Sequence, residues 1–216
     1  MKSIRFLRHA ESAANAGLPT SDPNEIPLTD KGKAAAELAA LEYDGPTPEL
    51  IVVSPYLRAK QTAVPFIARF PEAKVETWPV YEFTYISPER CVKTTFAKRR
   101  PMVEDYWRKA STDYVDGPRA ESFEEFIARV KDAVAKLLAR EEKSILVVSH
   151  ETFILAVQFY EQPTENPSNR DSMCGFHHFI LDWWVDNLGF WDFKDFSQWA
   201  CNSESAQFSN TKDAAK

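Results

Sequence analysis

The chain has 216 residues, which is enough for one domain with a substantial buried core. Hydrophobic residues make up 44% and charged residues 27%, as in ordinary globular proteins, so a disordered chain is excluded. The formal net charge of -6 disfavours nucleic acids and membrane surfaces as partners, because both usually require a basic surface patch.

The first predicted element is an apolar strand over residues 4–7 that ends in Arg8 and His9. An arginine supplies a fixed fork of donors for phosphate or carboxylate, and a histidine beside it can act as nucleophile, general base or ligand. Taken alone, such a pair is more often a solvated arginine next to an ordinary surface histidine. The strand end is therefore a candidate site that needs support from elsewhere in the chain.

A loop and a helix are predicted next. Residues 17–24 are a dense cluster of turn formers and indicate a surface loop at the mouth of the site. Thr29 predicts the N-cap of a helix over Asp30–Leu41, a segment rich in Ala, Lys, Glu and Leu. Leu38 and Leu41 are spaced for one apolar face, and we expect that face to pack against the sheet.

A second strand over residues 50–53 leads to Ser54 and Pro55, a pair typical of an N-cap followed by proline at the first helical position. The helix is predicted to run to about Phe70 and places Arg58 in its first turn. Because the positive end of a helix and an arginine both favour an anion, a phosphate contact is expected there.

A third strand is predicted over residues 73–80, and it delivers Glu82 to the same edge of the sheet. From residue 84 to residue 120 the pattern is less regular, and we interpret this segment as a cap inserted over the site. The basic run at 98–100 either meets a second charge on an anionic substrate or forms a solvated face, and both explanations stay open.

The last strongly patterned stretch combines a helix with a strand. Ser122 and Glu125 have the spacing of a capping box and open a long predicted helix. An apolar strand over residues 144–148 follows and ends in Ser149-His150-Glu151, after which a further helix is expected.

The remaining features concern the tail and the cellular location. Residues 176–181 predict a late or edge strand, whereas the aromatic-rich run 183–199 fits no motif and is attributed to ordinary packing. Three cysteines without C-x-x-C spacing predict neither a disulfide framework nor a zinc site, so we expect reduced thiols in a cytoplasmic protein. No leader pattern is evident, and no apolar run approaches the ~20 residues of a membrane helix, so neither export nor a membrane is expected.

The strand ends together deliver two arginines and two histidines, namely Arg8, His9, Arg58 and His150. In a doubly wound sheet the carboxyl ends of the strands meet at one edge, so these four residues are expected to be neighbours in space.

The ordered set of motifs resembles the histidine phosphatase superfamily, the phosphoglycerate mutase-like fold, and the resemblance extends from residue 4 to about residue 154. The motifs that carry it are Arg8-His9-Ala10, Asn15, Leu28-Thr29-Asp30-Lys31-Gly32, Ser54-Pro55 with Arg58, Gln61 and Thr62, Glu82, Glu121-Ser122-Phe123 with Arg129, and His150. Two departures stand out. Ala10 replaces the usual glycine, and Ser149 and Glu151 flank His150 where glycines are more usual.

The resemblance implies an α/β fold: a three-layer α/β/α sandwich with a mostly parallel central sheet. It implies one domain over residues 1–216, with residues 84–120 as a small inserted cap of the kind that sets the substrate in this family.

The resemblance also implies a chemistry without metal or cofactor. Arg8 and Arg58 would balance the charge of a phosphate monoester while His9 attacks phosphorus and forms a phosphohistidine. His150 would stabilise the equatorial oxygens, and Glu82 would protonate the leaving oxygen.

Several other polar residues are assigned with less specific roles. Glu121 and Glu151 are rivals of Glu82 for the proton transfer. Ser12, Asn15 and Glu151 are the expected substrate-binding residues, although turn formation or helix capping would equally explain the first two.

The sequence therefore predicts a phosphatase that acts on a small phosphorylated metabolite, as a monomer or homodimer. The alternative within the same family is phosphoglycerate mutase-type transfer, which the segment Glu82-Phe83-Thr84-Tyr85-Ile86 disfavours because the mutases carry an E-R-H-Y-G-like sequence there. A non-catalytic phosphate-binding module is the third reading, and Ala10 is the residue that leaves it open.

Overall fold

The computed structural model describes residues 2–161, 173, 176–177 and 194–195. The elements in chain order are β1 (Ser3–Arg8), α1 (Asp30–Leu41), β2 (Leu50–Val53), α2 (Leu57–Arg69), β3 (Lys74–Thr77), a 3₁₀ turn (Pro88–Cys91), α3 (Phe96–Lys109), α4 (Phe123–Ala139), β4 (Ser144–Ser149), α5 (Glu151–Glu161) and β5 (Lys194–Asp195).

The central sheet has the strand order β3-β2-β4-β1-β5. Among the residues described, β1 with β4, β4 with β2, and β2 with β3 pair in parallel, and the two-residue β5 pairs antiparallel with β1. Every residue of β2 and β4 is buried, as expected for strands that carry helices on both faces. The prediction of an α/β fold with a mostly parallel central sheet is confirmed.

Alternating strand residues build a separate apolar layer on each face of the sheet. On one face Phe6, Val52 and Val147 belong to a large cluster that includes the buried stripe of α4 and most of α5. On the other face Ile51 and Val148 pack with small and aromatic residues of α1 and α2. The three-layer sandwich is thereby confirmed.

The apolar face predicted for α1 is wrong. Leu38 and Leu41 are 53% and 74% exposed, whereas the buried residues of this helix are glycine and alanines, including Ala36 and Ala39. The helix lies close against its neighbours through these small side chains, which leaves no space for leucine on the packed face. The predicted N-cap is correct, since the Thr29 side chain accepts a hydrogen bond from the Gly32 backbone N–H.

Two further cap predictions have opposite outcomes. The capping box of α4 is confirmed, because Ser122 Oγ accepts from the Glu125 N–H and the Glu125 carboxylate accepts from the Ser122 N–H. The cap predicted for α2 is wrong, since the helix begins at Leu57 after Tyr56, with no side-chain cap. The Ser54 side chain instead forms a hydrogen bond with His150 in the site.

Residues 84–120 lie beside the α4 face of the sheet, and Ile86, Cys91 and Tyr106 join the large apolar cluster there. Around them Phe83, Tyr85 and Trp107 contact the Tyr106 ring, with ring centroids 4.8 to 6.0 Å from its own. Aromatic packing of this kind ties the segment to the core.

The tail is described only in part. Phe176 and His177 are helical, so the late strand predicted over 176–181 is wrong at its first two residues, and residues 178–181 lie outside the described part. Of the run 183–199, only Lys194 and Asp195 are described, as β5. Among the residues described, no helix combines the length and the apolar character that a membrane crossing requires.

Candidate active site

The site lies at the carboxyl ends of β1 and β4, which pair in parallel with Arg8 opposite Ser149. The residues that follow the two strands, His9 after β1 and His150 after β4, therefore lie side by side. The rings of His9 and His150 have centroids 5.0 Å apart and an interplanar angle of 57°. The sheet thus brings together two side chains that are far apart in sequence.

His9 is buried and both of its ring nitrogens have partners. Nδ1 lies 2.8 Å from the Ala10 carbonyl oxygen, and Nε2 lies 3.1 Å from Nε of Arg58. Because a carbonyl can only accept and a guanidinium can only donate, the proton belongs on Nδ1 and the lone pair on Nε2. Burial, followed by the charge of Arg58, holds the pKa of His9 well below the ordinary histidine value, so the ring is neutral.

Arg58 stands in the first turn of α2, as predicted, and is almost fully buried. Its Nη1 donates to the carbonyl oxygen of Pro23 at 2.7 Å, and its guanidinium lies 4.9 Å from the centre of the Tyr56 ring. These contacts fix the fork beside the neutral imidazole of His9.

Arg8 forms a two-point ion pair with Glu151, with distances of 3.1 Å from Nη1 to Oε1 and 2.9 Å from Nη2 to Oε2. Burial raises the pKa of Glu151, and the nearby Glu82 carboxylate acts in the same direction, while Arg8 opposes both. The pair therefore presents one fixed arginine to the site together with a carboxyl group that is easier to protonate than usual.

His150 is completely buried, and its Nε2 lies 2.7 Å from Ser54 Oγ. The Ser54 oxygen also accepts a weak hydrogen bond from the Tyr56 backbone N–H at 3.4 Å. A hydroxyl can both donate and accept, so the contact with Nε2 fits either tautomer of His150. Nδ1 of His150 has no hydrogen-bond partner among the residues that the structure describes. Burial and the charge of Arg58 hold the pKa of His150 well below its usual range.

Glu82 follows β3 and reaches the start of α5. Its Oε1 accepts from the backbone N–H groups of Phe83 and Thr152, both at 3.1 Å. The rival Glu121 is engaged elsewhere, because both its carboxylate oxygens receive hydrogen bonds from Arg129, at 2.6 and 3.1 Å. The structure therefore separates Glu121 from the two carboxyl groups near His9.

Ser12 and Asn15 form one small hydrogen-bonded turn. Asn15 Oδ1 accepts from the backbone N–H and the hydroxyl of Ser12, at 3.1 and 2.7 Å. With the amide oxygen used in this way, the NH₂ group of Asn15 is the end of the side chain that remains for a ligand.

The Leu28–Gly32 motif positions the loop that carries His9. The Thr29 backbone N–H donates to the Glu11 carbonyl at 3.0 Å, and the Thr29 hydroxyl donates to the Glu11 carboxylate at 2.8 Å. A Cβ at Gly32 would lie 2.1 Å from that same carbonyl oxygen, so only glycine permits the contact. The motif acts on the site through the backbone two residues after His9.

Ala10 does not disturb the site. Its side chain is buried in a small apolar cluster with Leu28 and Ala36, and its backbone N–H donates to Thr62 Oγ1 at 3.0 Å. The extra methyl group is accommodated in packing, while the carbonyl oxygen continues to orient His9.

A cavity of about 620 Å³, which we call the main cavity, opens over these residues. The sequence-predicted residues on its wall are Arg8, His9, Ser12, Asn15, Arg58, Glu82 and Glu151. His150 is not on the wall, but its buried ring lies next to that of His9. Among the residues described, no group of three or more His, Cys, Asp or Glu side chains is placed to hold a metal ion.

Three contacts in the site were not predicted from the sequence: Tyr56 with Arg58, Tyr56 with His150, and Ser54 with His150. Of the basic run at 98–100, for which two explanations were open, the structure places Arg99 on the cavity wall. The pattern Ser-Pro-Tyr-x-Arg did place Ser54 and Tyr56 near Arg58 in sequence. It contained no signal for the tertiary partner of either side chain.

The chain is similar to known proteins in sequence and in fold. A model of the histidine phosphatase superfamily (branch 1) matches residues 4–169. The alpha-ribazole phosphatase from Shigella flexneri is similar in structure, with 22% identity and a TM-score of 0.60 over 74% of this chain and 81% of that one. A mycobacterial glucosyl-3-phosphoglycerate phosphatase in complex with VO3 has 24% identity and a TM-score of 0.60, over 76% and 84% of the chains. Among curated proteins none matches the chain.

Proposed function

Since the chain belongs to the histidine phosphatase superfamily, branch 1, we propose that it hydrolyses a small phosphate monoester through a phosphohistidine on His9, without a metal ion. The observation that carries the proposal is the neutral imidazole of His9, whose Nε2 lone pair lies beside the Arg58 guanidinium on the wall of the main cavity. The phosphatases named among its structural relatives support the fold on which this reading depends.

In the first step Nε2 of His9 attacks phosphorus, and the N–P bond forms as the bond from phosphorus to the ester oxygen breaks. Arg8 and Arg58 balance the charge of the phosphoryl oxygens. In this step the Ser54 hydroxyl donates to Nε2 of His150, which places the ring proton on Nδ1, and the Nδ1–H donates to an equatorial oxygen. The NH₂ group of Asn15 donates to another oxygen, with Ser12 holding its amide in place. The leaving oxygen takes a proton from Glu82.

In the second step a water molecule attacks the phosphohistidine and gives its proton to Glu82. The N–P bond breaks, inorganic phosphate leaves, and His9 returns as a neutral imidazole. Glu151 keeps Arg8 oriented through both steps by its two-point ion pair. Residues 84–120 serve as the cap that closes the substrate side of the cavity, since nine of the residues on its wall come from this segment.

Two measurements test the proposal. Purified protein should release inorganic phosphate from an aryl phosphate in the presence of a metal chelator. The amounts of phosphate and of phenol released should be equal. Loss of activity with the chelator contradicts the metal-free mechanism, and interconversion of phosphoglycerates without release of phosphate indicates the mutase instead.

The second measurement locates the phosphoryl group. Brief exposure to a ³²P-labelled ester should give an acid-labile label on the wild-type protein, and none on His9→Ala or His9→Asn. The asparagine can keep a hydrogen bond to the Ala10 carbonyl, so it separates loss of the nucleophile from loss of fold. A label that persists in a folded His9→Asn protein assigns the nucleophile to another residue.

A further inference from the structure

One cation on the wall of the main cavity has no task in the proposed phosphate chemistry. The charged residues of the wall are Arg8, Arg58, Glu82, Glu151 and Arg99. The first four lie around the phosphate position, whereas Arg99 belongs to α3, in the segment that approaches from the substrate side.

Arg99 is half-buried, and its Nε is fully buried without a hydrogen-bond partner among the residues described. It also forms no ion pair with another described residue, whereas five salt bridges between described residues involve the segment 84–120. Burial raises the pKa of Tyr85 to about 12, and the charge of Arg99 acts to lower it. A buried donor without an acceptor is costly, so an acceptor on a bound ligand would stabilise this position.

The two basic neighbours of Arg99 do not share its environment. Lys98 is exposed, and Arg100 is 75% exposed and pairs with Glu104, four residues further along the same helix. Of the three residues, only Arg99 lines the main cavity. The basic run therefore separates into one cavity residue and two solvated ones.

The helix face that carries Arg99 is otherwise apolar. Phe96 and Val103, three residues before and four residues after it, also line the cavity and lie on the same face. Phe96 is 53% exposed, as expected for a ring at the rim of an open cavity. Ile26 and Phe83 also line the cavity. A volume of about 620 Å³ is far more than a phosphate group requires and suits a metabolite-sized ligand.

We propose that Arg99 recognises a second anionic group, a carboxylate or a further phosphate, on the alcohol part of the substrate. This inference rests on the proposed phosphatase function and narrows its substrate class. The phosphate to be cleaved lies against His9, an apolar body contacts Phe96 and Val103, and the second anion receives a charge-assisted pair of hydrogen bonds from the Arg99 guanidinium.

The test compares matched aryl esters that differ in charge at one position. The 3- and 4-carboxyphenyl phosphates carry the second anion, and the corresponding carbamoylphenyl phosphates have nearly the same shape without the charge. The measured quantity is the kcat/KM of the better carboxyl isomer divided by the kcat/KM of its carbamoyl counterpart. In Arg99→Gln we expect this ratio to fall by roughly ten- to a hundredfold, which is the size of a lost charge-assisted hydrogen bond. Arg99→Lys should restore part of it.

Arg100→Gln is the matched control, because it removes the same charge from the next residue of the same helix, outside the cavity. Its ratio should equal that of the wild type. An unchanged ratio in Arg99→Gln overturns the inference, as does an equal fall in Arg100→Gln, which indicates a general field effect. If the wild type hydrolyses none of the esters, the proposed function fails, and the dissociation constants of the same esters for the same variants still decide the role of Arg99.

Discussion

Nε of Arg58 donates a hydrogen bond to Nε2 of His9 over 3.1 Å, so the guanidinium occupies the lone pair with which the imidazole would attack phosphorus. A phosphoryl oxygen is a stronger acceptor for a guanidinium than a neutral imidazole is. When a phosphate monoester enters, it should therefore take over this hydrogen bond and leave the lone pair of His9 uncovered. Arg58 thereby links substrate binding to the exposure of the nucleophile.

We expect Arg58→Lys to lower kcat/KM by about 10²–10³, because lysine lacks both the planar fork and the Nε–H. In Arg58→Gln the pKa of His9 should rise, since the second cause of its depression is the charge of Arg58. Steady-state kinetics and histidine NMR titration measure the two effects. Lys60→Gln, an exposed position on the same helix, is the control. A His9 pKa that stays the same in Arg58→Gln contradicts the proposed coupling.

The two buried histidines should make the protein sensitive to acid. In the native state the pKa values of His9 and His150 lie well below about 6.5, whereas the unfolded chain protonates both near that pH. The unfolded state therefore binds more protons below pH 6.5, so the free energy of unfolding falls as the pH falls through this window. Above it the contribution of the two groups is fully present.

Urea unfolding at pH 7.5, 6.5 and 5.5 measures this dependence. Each histidine can contribute a slope of at most about 1.4 kcal/mol per pH unit. The variant His9→Gln/His150→Gln should show a flatter profile between pH 6.5 and 5.5 than the wild type. Parallel profiles would mean that the acid sensitivity comes from other groups.

Gly32→Ala should damage both stability and activity. The new methyl group would meet the Glu11 carbonyl oxygen at 2.1 Å, so α1 or the loop after His9 must move. We expect a loss of about 1–3 kcal/mol in the free energy of unfolding and a lower kcat/KM at temperatures where the variant is folded. Ala34→Ser, an exposed change on the same helix, should cost no more than about 0.5 kcal/mol. Full activity in a folded Gly32→Ala protein would show that the contact does not position His9.

The sequence predicted those parts of the molecule that depend on local or strictly periodic signals. The apolar runs before His9 and His150 identified two neighbouring parallel strands, and parallel strands end at one edge of the sheet. Thr29 and Ser122 were recognised as caps because a cap needs only a side chain and a backbone N–H three residues away.

The predictions that failed depend on tertiary partners. Leu38 was placed on the packed face because it is large and apolar, yet close packing of α1 selected alanines for that face. Ser54 was interpreted as a helix cap, but its partner His150 lies 96 residues away in sequence. Arg99 could not be separated from Lys98 and Arg100 until the rotation of α3 relative to the cavity was known.

Glu82 and Glu151 can be distinguished as proton donors by the basicity of the leaving group. We expect Glu82→Gln to lower kcat/KM for an alkyl phosphate by about 10²–10⁴, but to have little effect on 4-nitrophenyl phosphate, whose leaving group needs no proton. Its amide oxygen can still accept from the Phe83 and Thr152 N–H groups. Glu151→Gln weakens the hold on Arg8 instead, so it should slow both esters to a similar extent. If instead Glu151→Gln slows the alkyl ester and spares 4-nitrophenyl phosphate, then Glu151 is the acid. Burial raises the pKa of this residue, which suits that role.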